Sequence, residues 1–447
     1  MYSKKRKKEK RIILTIIFSL CLGFPALAQD TTVRVWTLEQ CIKQAVENNI
    51  QIKQSELDVE ISQGDLKQSR AEFLPDLNAY ASQEYASGKS NTDFVNSSNS
   101  TYFSLSSQYD IFKGFQRNAM VSYNKINLDS KLKLVEKAKN DITLNIATYY
   151  LQVLYYKELI KTSQIQVELS KLQVERIEKL VKSGSEPEGK LSEMQSQLAQ
   201  DQMILVDAEN NLSTAKLNLT QLLELNDPKG FDVVEPTNLL VTIDSISQVD
   251  VSQVFADAQS FLPEIKNASL QTEASKQMLA YQKGAYLPTL SLKGTIYSGY
   301  TDVYDMGFSD QINNNFKKTL SLTLSIPIFS RFSTQTTVSR ARINVVKSEN
   351  ELELARKVVY KDIQLAQNNS FSALKKYEAT TVALTAYQDA FRYAKQKFEA
   401  GSLSTFDYNT AKSKLARVES ELLQAKYDYL FRSKILDFYR GRPITLN

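Results

Sequence analysis

The sequence repeats itself over almost its whole length, and this restricts the chain to folds built from two like halves. Ala45, Ile52, Leu74, Pro75 and Leu77 recur as Ala258, Ile265, Leu287, Pro288 and Leu290 at an offset of 213 residues. After a four-residue insertion the offset is 217, and Ser104, Leu105, Ile111, Phe112, Phe115, Gly184 and Ser185 reappear as Ser321, Leu322, Ile328, Phe329, Phe332, Gly401 and Ser402. Each copy reads as a helix, a strand, a polar loop, a strand, a very long helix, a glycine turn and another long helix. Such a unit is far larger than a solenoid repeat. The arrangement predicts a duplicated half-barrel with coiled-coil legs. Its expected divisions are a signal peptide over 1–28, a first repeat over 29–225, a connector over 226–250 and a second repeat over 251–447.

The signal peptide is expected from seven basic residues between Lys4 and Arg11, the 16-residue apolar run from Ile12 to Leu27, and Ala26-Leu27-Ala28 as a small-x-small cleavage site. The run is shorter than the ~20 residues a helix needs to span a bilayer. Leu20 before Cys21 is too large for a lipoprotein signal. Removing the leader takes away seven basic residues and one acidic one, so 55 basic and 50 acidic residues become 48 and 49. The apparent basicity is therefore an export feature, and nucleic-acid binding loses the clustered positive field it requires.

Only Cys41 of the two cysteines survives such processing, so no intrachain disulfide is expected. With no histidine in the chain, the common zinc sites and histidine-based acid–base catalysis are excluded. No catalytic constellation is recognisable, and neither a cofactor nor a metal site is expected.

The long helical segments carry a heptad-like seam. Leu128, Leu132, Val135, Ile142, Ile146, Tyr149, Val153 and Ile160 are spaced by threes, fours and sevens. After the turn, Met194, Leu198, Leu205, Ala208, Leu212, Ala215, Leu219 and Leu222 do the same. An antiparallel coiled coil follows, with one helix from about Lys113 to Lys182 that is roughly 105 Å long at 1.5 Å per residue. The second copy predicts helices over Phe332–Phe398 and Ser404–Tyr439. Asn226-Asp227-Pro228-Lys229-Gly230 stops the first copy, and a connector lying against the helices follows.

Leu320, Leu322, Leu324, Ile326 and Ile328 alternate with Ser321, Thr323 and Ser325, while Leu290, Leu292 and Ile296 alternate with Ser291, Lys293 and Thr295. Phe103, Leu105, Tyr109 and Ile111 do so less regularly in the first copy. Residues 88–100 and 301–316 read as exposed loops, and Tyr102, Phe103, Tyr297 and Tyr300 as part of an aromatic girdle. Amphipathic strands of this kind fit an outer membrane as well as a soluble sandwich. Four strands cannot close a barrel, however, and open edges are not tolerated in lipid, so a membrane reading obliges several chains to share one barrel. Three copies supply twelve strands, an even number within the known range.

The Leu74-Pro75-Asp76-Leu77 and Leu287-Pro288-Thr289-Leu290 entries, the Ile326-Pro327-Ile328-Phe329 exit and the Gly401-Ser402 turn before Asp407 resemble the TolC family of outer-membrane efflux proteins across residues 37–441. The resemblance implies an α+β membrane protein with four β-strands per protomer. These contribute to a shared trimeric 12-strand outer-membrane barrel, and long antiparallel coiled-coil helices form a periplasmic tunnel. It implies a homotrimer in outer-membrane lipid that meets a periplasmic adaptor (membrane fusion) protein and an inner-membrane transporter, and acts as a passive exit for efflux or type I secretion. The alternative, a periplasmic coiled-coil adaptor or structural protein, fits less well because adaptors usually carry one helical hairpin and this chain predicts two.

The resemblance places Gly184, Ser185, Gly401 and Ser402 at the adaptor-binding tips. It places Asp407, Thr410, Leu403 and Phe398 at the pore constriction, Asp407 as an acidic ring. Thr410 stands where the family has a second acidic ring, Leu403 where a latch has arginine, and Phe398 where it has tyrosine. Leucine and phenylalanine make no such hydrogen bonds or ion pairs, so closure is expected to rest on packing. The tip glycines also suit tight helix-to-helix turns with a left-handed backbone. Ser404-x-x-Asp407 also resembles a capping box.

Overall fold

The computed structural model describes residues 34–89, 95–225, 230–236 and 250–445. The expected leader lies outside them. The two halves are built from helices of matched length. The first contains α1 (Leu38–Asn48), α2 (Ile50–Ala71), α3 (Gln116–Lys182) and α4 (Glu188–Leu222), of 11, 22, 67 and 35 residues. The second contains α5 (Val251–Phe261), α6 (Pro263–Gly284), α8 (Ser333–Glu399) and α9 (Thr405–Tyr439), again of 11, 22, 67 and 35 residues. Between α6 and α8, α7 (Phe308–Asn314) is a short extra helix.

Where one helix was expected before each first strand there are two. Asn49 and Leu262 leave the helical region at φ −60°, ψ 131° and φ −63°, ψ 125° and start the next helix. Asn49 caps it with its side chain, and Pro263, which lacks a donor, is tolerated in the first turn.

The strands are β2 (Asn78–Lys89), β3 (Val95–Lys113), β5 (Thr289–Thr301) and β6 (Lys317–Ser325), with short β1 (Arg34–Trp36) and β4 (Phe231–Val233) elsewhere. They form an antiparallel four-stranded sheet in the order β2-β3-β5-β6, so the two copies meet at β3–β5. The duplication persists in register: Asn78 pairs with Ser106 and Glu84 with Ser100, as Ser291 pairs with Thr323 and Tyr297 with Lys317.

Register also sorts the side chains. Leu105 pairs with Ile296, Tyr109 with Leu292, Leu290 with Leu324 and Leu292 with Leu322, giving one apolar face. Ser104, Ser106, Gln108, Lys293, Thr295, Ser321 and Thr323 lie on the other. A bulge between Asp110 and Phe112 takes Ile111 out of this alternation, the reason the first copy reads weakly.

Three expectations change. Most of 88–100 is strand, and the stretch 301–316 contains α7. Of the four girdle aromatics, Tyr102 and Tyr297 stack on the polar face, with ring centroids 6.0 Å apart, while register leaves Phe103 and Tyr300 on the apolar face.

The sheet turns into the long helices at sharp corners. Gly114 and Phe115 adopt φ 55° and 61°, and their counterparts Arg331 and Phe332 adopt φ 50° and 62°. Arg117, buried at the first corner, donates to the carbonyl oxygens of Glu72 (3.0 Å) and Asp110 and lies over the Phe73 ring. It ties the end of α2 to the bulge of β3.

Away from the sheet, α3 packs along α4 and α8 along α9, while α2 and α6 lie against α3 and α6 also against α8. Val135, Ile142, Ile146, Val153, Met194, Ala208, Ala215 and Leu219 of the expected seam are buried; Leu132 is exposed. The largest core lies where α1, α3 and α4 meet β1 and β4. There Phe231, Val233 and Tyr150 are buried, and the Tyr150 hydroxyl lies 2.9 Å from the Val234 carbonyl oxygen and 3.2 Å from that of Trp36. Cys41 sits in this core, where burial and then Glu39 push its thiol up to about 12. The described part of the connector, 230–236, therefore pairs in parallel with β1 and lies on the helices. Among the described residues no helix is long and apolar enough to cross a membrane.

Candidate functional site

Both long hairpins end at the same place in the same turn. At the first tip the Gly184 N–H donates to the Val181 carbonyl (2.9 Å) and the Ser185 N–H to that of Leu180 (2.9 Å). At the second, Gly401 donates to Phe398 (3.1 Å) and Ser402 to Lys397 (2.9 Å). These are paired Schellman caps, which need a left-handed residue; Gly184 and Gly401 both sit at φ +73°. A Cβ on either would meet no atom within 4 Å, so the glycines answer to backbone conformation and not to crowding. All four tip residues are exposed.

Beneath the tips, Ile177, Met194, Phe398 and Tyr408 form a small core, with Leu403 packed against it. Phe398 stacks on Tyr408 at 4.4 Å between centroids and carries Lys190 Nζ 4.9 Å from its own ring centre. Phe398 is only 6% exposed in the single chain. Enclosed by its own protomer, it packs the second hairpin against Ile177 and Met194 of the first. Leu403 is half-buried at the edge of the same cluster.

Asp407 is exposed in the first turn of α9, whose N-cap is Ser404. Its N–H donates to Ser404 Oγ (3.1 Å), and that hydroxyl donates to Asp407 Oδ2 (2.7 Å). Thr410, one turn on, lines a groove of about 690 Å³ between α4 and α9, with Ser196 and Gln200 opposite and Phe406 and Arg417 beside it. The structure thus gathers all eight residues at one end of the helical part and divides them between turn, core and groove.

The sequence reading missed the polar network just above this core. Lys412 Nζ of α9 lies 2.9 Å from Asp201 Oδ2 of α4, with side chains 5% and 8% exposed. Ser170 of α3 hydrogen-bonds both groups, Gln197 donates to Asp201 Oδ1 (2.8 Å), and the Gln166 carbonyl accepts from Lys412 (3.3 Å). Three helices from both hairpins are joined by this ion pair. A signal was present. Asp201 falls in the gap of the seam between Leu198 and Leu205, and Lys412 falls between Tyr408 and Leu415, so a charge stands where each stripe calls for an apolar residue.

The chain thus combines an amphipathic sheet, paired 67-residue helices and two matched turns at their far end. Residues 41–224 and 256–442 match the family model of the outer membrane efflux proteins, one segment in each repeat, and the chain belongs to that family. It is 23% identical to the outer membrane protein TolC of Escherichia coli over 440 residues, covering 94% of this chain and 84% of that protein. A shorter match, 23% over 182 residues and 40% of this chain, is to the alkaline protease secretion protein AprF of Pseudomonas aeruginosa, 36% of which is covered.

Among solved structures, the fold is like that of CusC, with a TM-score of 0.78 at 17% identity over 94% of this chain and 96% of that one. It is also like the Campylobacter jejuni CmeC outer membrane channel, with a TM-score of 0.77 at 17% identity over 90% and 85%. The protein is thus an outer-membrane channel, a duct for efflux or secretion.

Proposed function

We propose that three copies of this chain close one twelve-stranded barrel and one helical tunnel, with the leader over 1–28 removed, repeats over 29–225 and 251–447, and 226–250 bridging them. The observation that carries the reading is the four-stranded sheet whose edges, β2 and β6, have no partner strand among the described residues. In lipid each unpaired backbone group costs several kcal/mol, so the edges must be closed by other copies. The apolar face then meets lipid and the face bearing Ser104, Gln108, Lys293 and Thr323 lines the lumen. The duct is passive, taking cargo from an inner-membrane transporter through a periplasmic adaptor that docks at Gly184, Ser185, Gly401 and Ser402.

Asp407 from three chains forms an acidic ring at the periplasmic entrance, beside Thr410 and Leu403, and its cap by Ser404 fixes where the carboxylate stands. Convergent carboxylates attract cations. Asp407→Asn leaves the Ser404 N-cap and its bond from the residue-407 N–H in place, so it is expected to lower cation selectivity and block by multivalent cations in planar-bilayer recordings without loss of assembly. Unchanged selectivity and block would leave Asp407 only a partner of the Ser404 cap.

A further inference from the structure

The β5–β6 connection does not simply loop back. Ser298 Oγ donates to the Ile312 carbonyl (2.6 Å), Gln311 Nε2 donates to those of Thr301 and Met306 (both 2.9 Å), and Asn315 Nδ2 donates to that of Gly299 (2.8 Å). Ser298 shares the apolar face with Ile296, two residues away, so these bonds lay α7 across that face.

Under the helix is a cavity of about 520 Å³, lined by Ala79, Ala81, Phe103 and Ile296 of the sheet and by Ile312 and Phe316. The two alanines leave the space: they pair with Leu105 and Phe103, whose larger side chains stand beside it. The volume is within the roughly 300–1,000 Å³ of small-molecule sites, and its lining is apolar. At the mouth stands a cation. Lys318 pairs in register with Ile296, so it projects from the same face, with Nζ 5.3 Å from the centre of the Phe316 ring. It is exposed and makes no ion pair with any described residue. A lysine on the lipid face is costly at mid-bilayer and nearly free at the headgroup level, where its ammonium meets phosphate.

We propose that this slot is a binding site for an anionic lipid, with one acyl chain held between α7 and the Ala79–Ala81 stretch and the lipid phosphate on Lys318. The inference rests on the reading that the apolar face is turned outward in the outer membrane. The chain carries a single tryptophan, Trp36, which packs on Phe231 of β4 and not on the four-stranded sheet. The reporter protein is therefore Phe316→Trp in a Trp36→Phe background, reconstituted in vesicles with brominated-chain phosphatidylglycerol or phosphatidylcholine. Fluorescence is expected to be quenched at a several-fold lower mole fraction of the anionic lipid than of the zwitterionic one. Lys318→Gln, at an exposed position, should abolish that preference, and Ala81→Leu, which fills the slot, should weaken quenching by both lipids. Equal quenching by the two lipids, insensitive to both substitutions, would reduce the slot to ordinary lipid boundary and overturn the proposal. Absence of quenching by either lipid would overturn the outward orientation itself.

Discussion

At the scale of single residues, the helical part is held by charges placed where they are half removed from water. Asp232, next to β1, accepts from Lys157 (3.0 Å) and lies 3.2 Å from Lys216 Nζ, and Glu235 lies 2.5 Å from Lys161 Nζ. Burial alone would raise the Asp232 carboxyl, but the Val233 N–H and the two lysines outweigh it and hold it below the usual range. Lys161 and then Lys157 lower Glu235. Because both folded values are depressed, their stabilisation is present above the unfolded values of about 3.9 and 4.3 and is lost as pH falls through the folded ones. Asp232→Asn is expected to cost about 1–3 kcal/mol at neutral pH. Its deficit in thermal midpoint against the native protein should shrink as pH is taken from 6 towards 3; a deficit constant with pH would contradict the assignment. The tip glycines act through conformation instead. Gly184→Val with Gly401→Val forces a β-branched residue to φ +73° at a cost of roughly 1–2 kcal/mol or more each. Adaptor crosslinking should fall while assembly and the tip core persist, and unchanged crosslinking with unchanged export would place docking elsewhere.

At the scale of elements, the hairpins are joined where Phe398 and Tyr408 of the second pack with Ile177, Met194 and Lys190 of the first, and above that by the Lys412–Asp201 pair. Removing one partner of a buried pair typically costs about 3–5 kcal/mol, whereas replacing both by apolar groups is often neutral or stabilising. Asp201→Asn should therefore destabilise strongly in detergent unfolding, and Asp201→Leu with Lys412→Met should recover most of the loss. Distances between spin labels at Ser185 and Ser402 should broaden in the single variant and narrow again in the double one. Equal broadening in both would show that packing, and not the ion pair, couples the hairpins. The long helices themselves were legible because their seams repeat over dozens of residues; the expected Ser404–Tyr439 helix differs from the observed one by a single residue. The breaks at Asn49 and Leu262 were not, since a one-residue excursion leaves the apolar period almost intact. The buried role of Phe398 was hidden for another reason: its partner Tyr408 lies across a turn, and aligning one position with a family latch says nothing of what encloses it. The short β1–β4 pair escaped because three residues carry no period.

For the whole molecule, the duplication does more than explain two similar halves, because it supplies a register for the proposed contact between copies. Inside one chain the first repeat joins the second at β3–β5, with Ser104 opposite Tyr297. Carrying each residue to its counterpart predicts, for the proposed shared barrel, a junction between β6 of one copy and β2 of the next, with Ser321 opposite Glu84 and Ser325 opposite Tyr80. Both members of each pair lie on the polar face. The sheet at the internal junction is therefore the template for the proposed external one. The measurement that bears most directly on this is oxidation, in outer membranes, of the double variant Glu84→Cys with Ser321→Cys, with Cys41 buried and out of reach. Covalent species up to a closed trimer are expected, and none from Tyr85→Cys with Ser321→Cys, where a one-residue slip turns the side chain to the opposite face. A disulfide confined within single chains, or equal trimer formation by both pairs, would contradict a barrel shared in this register.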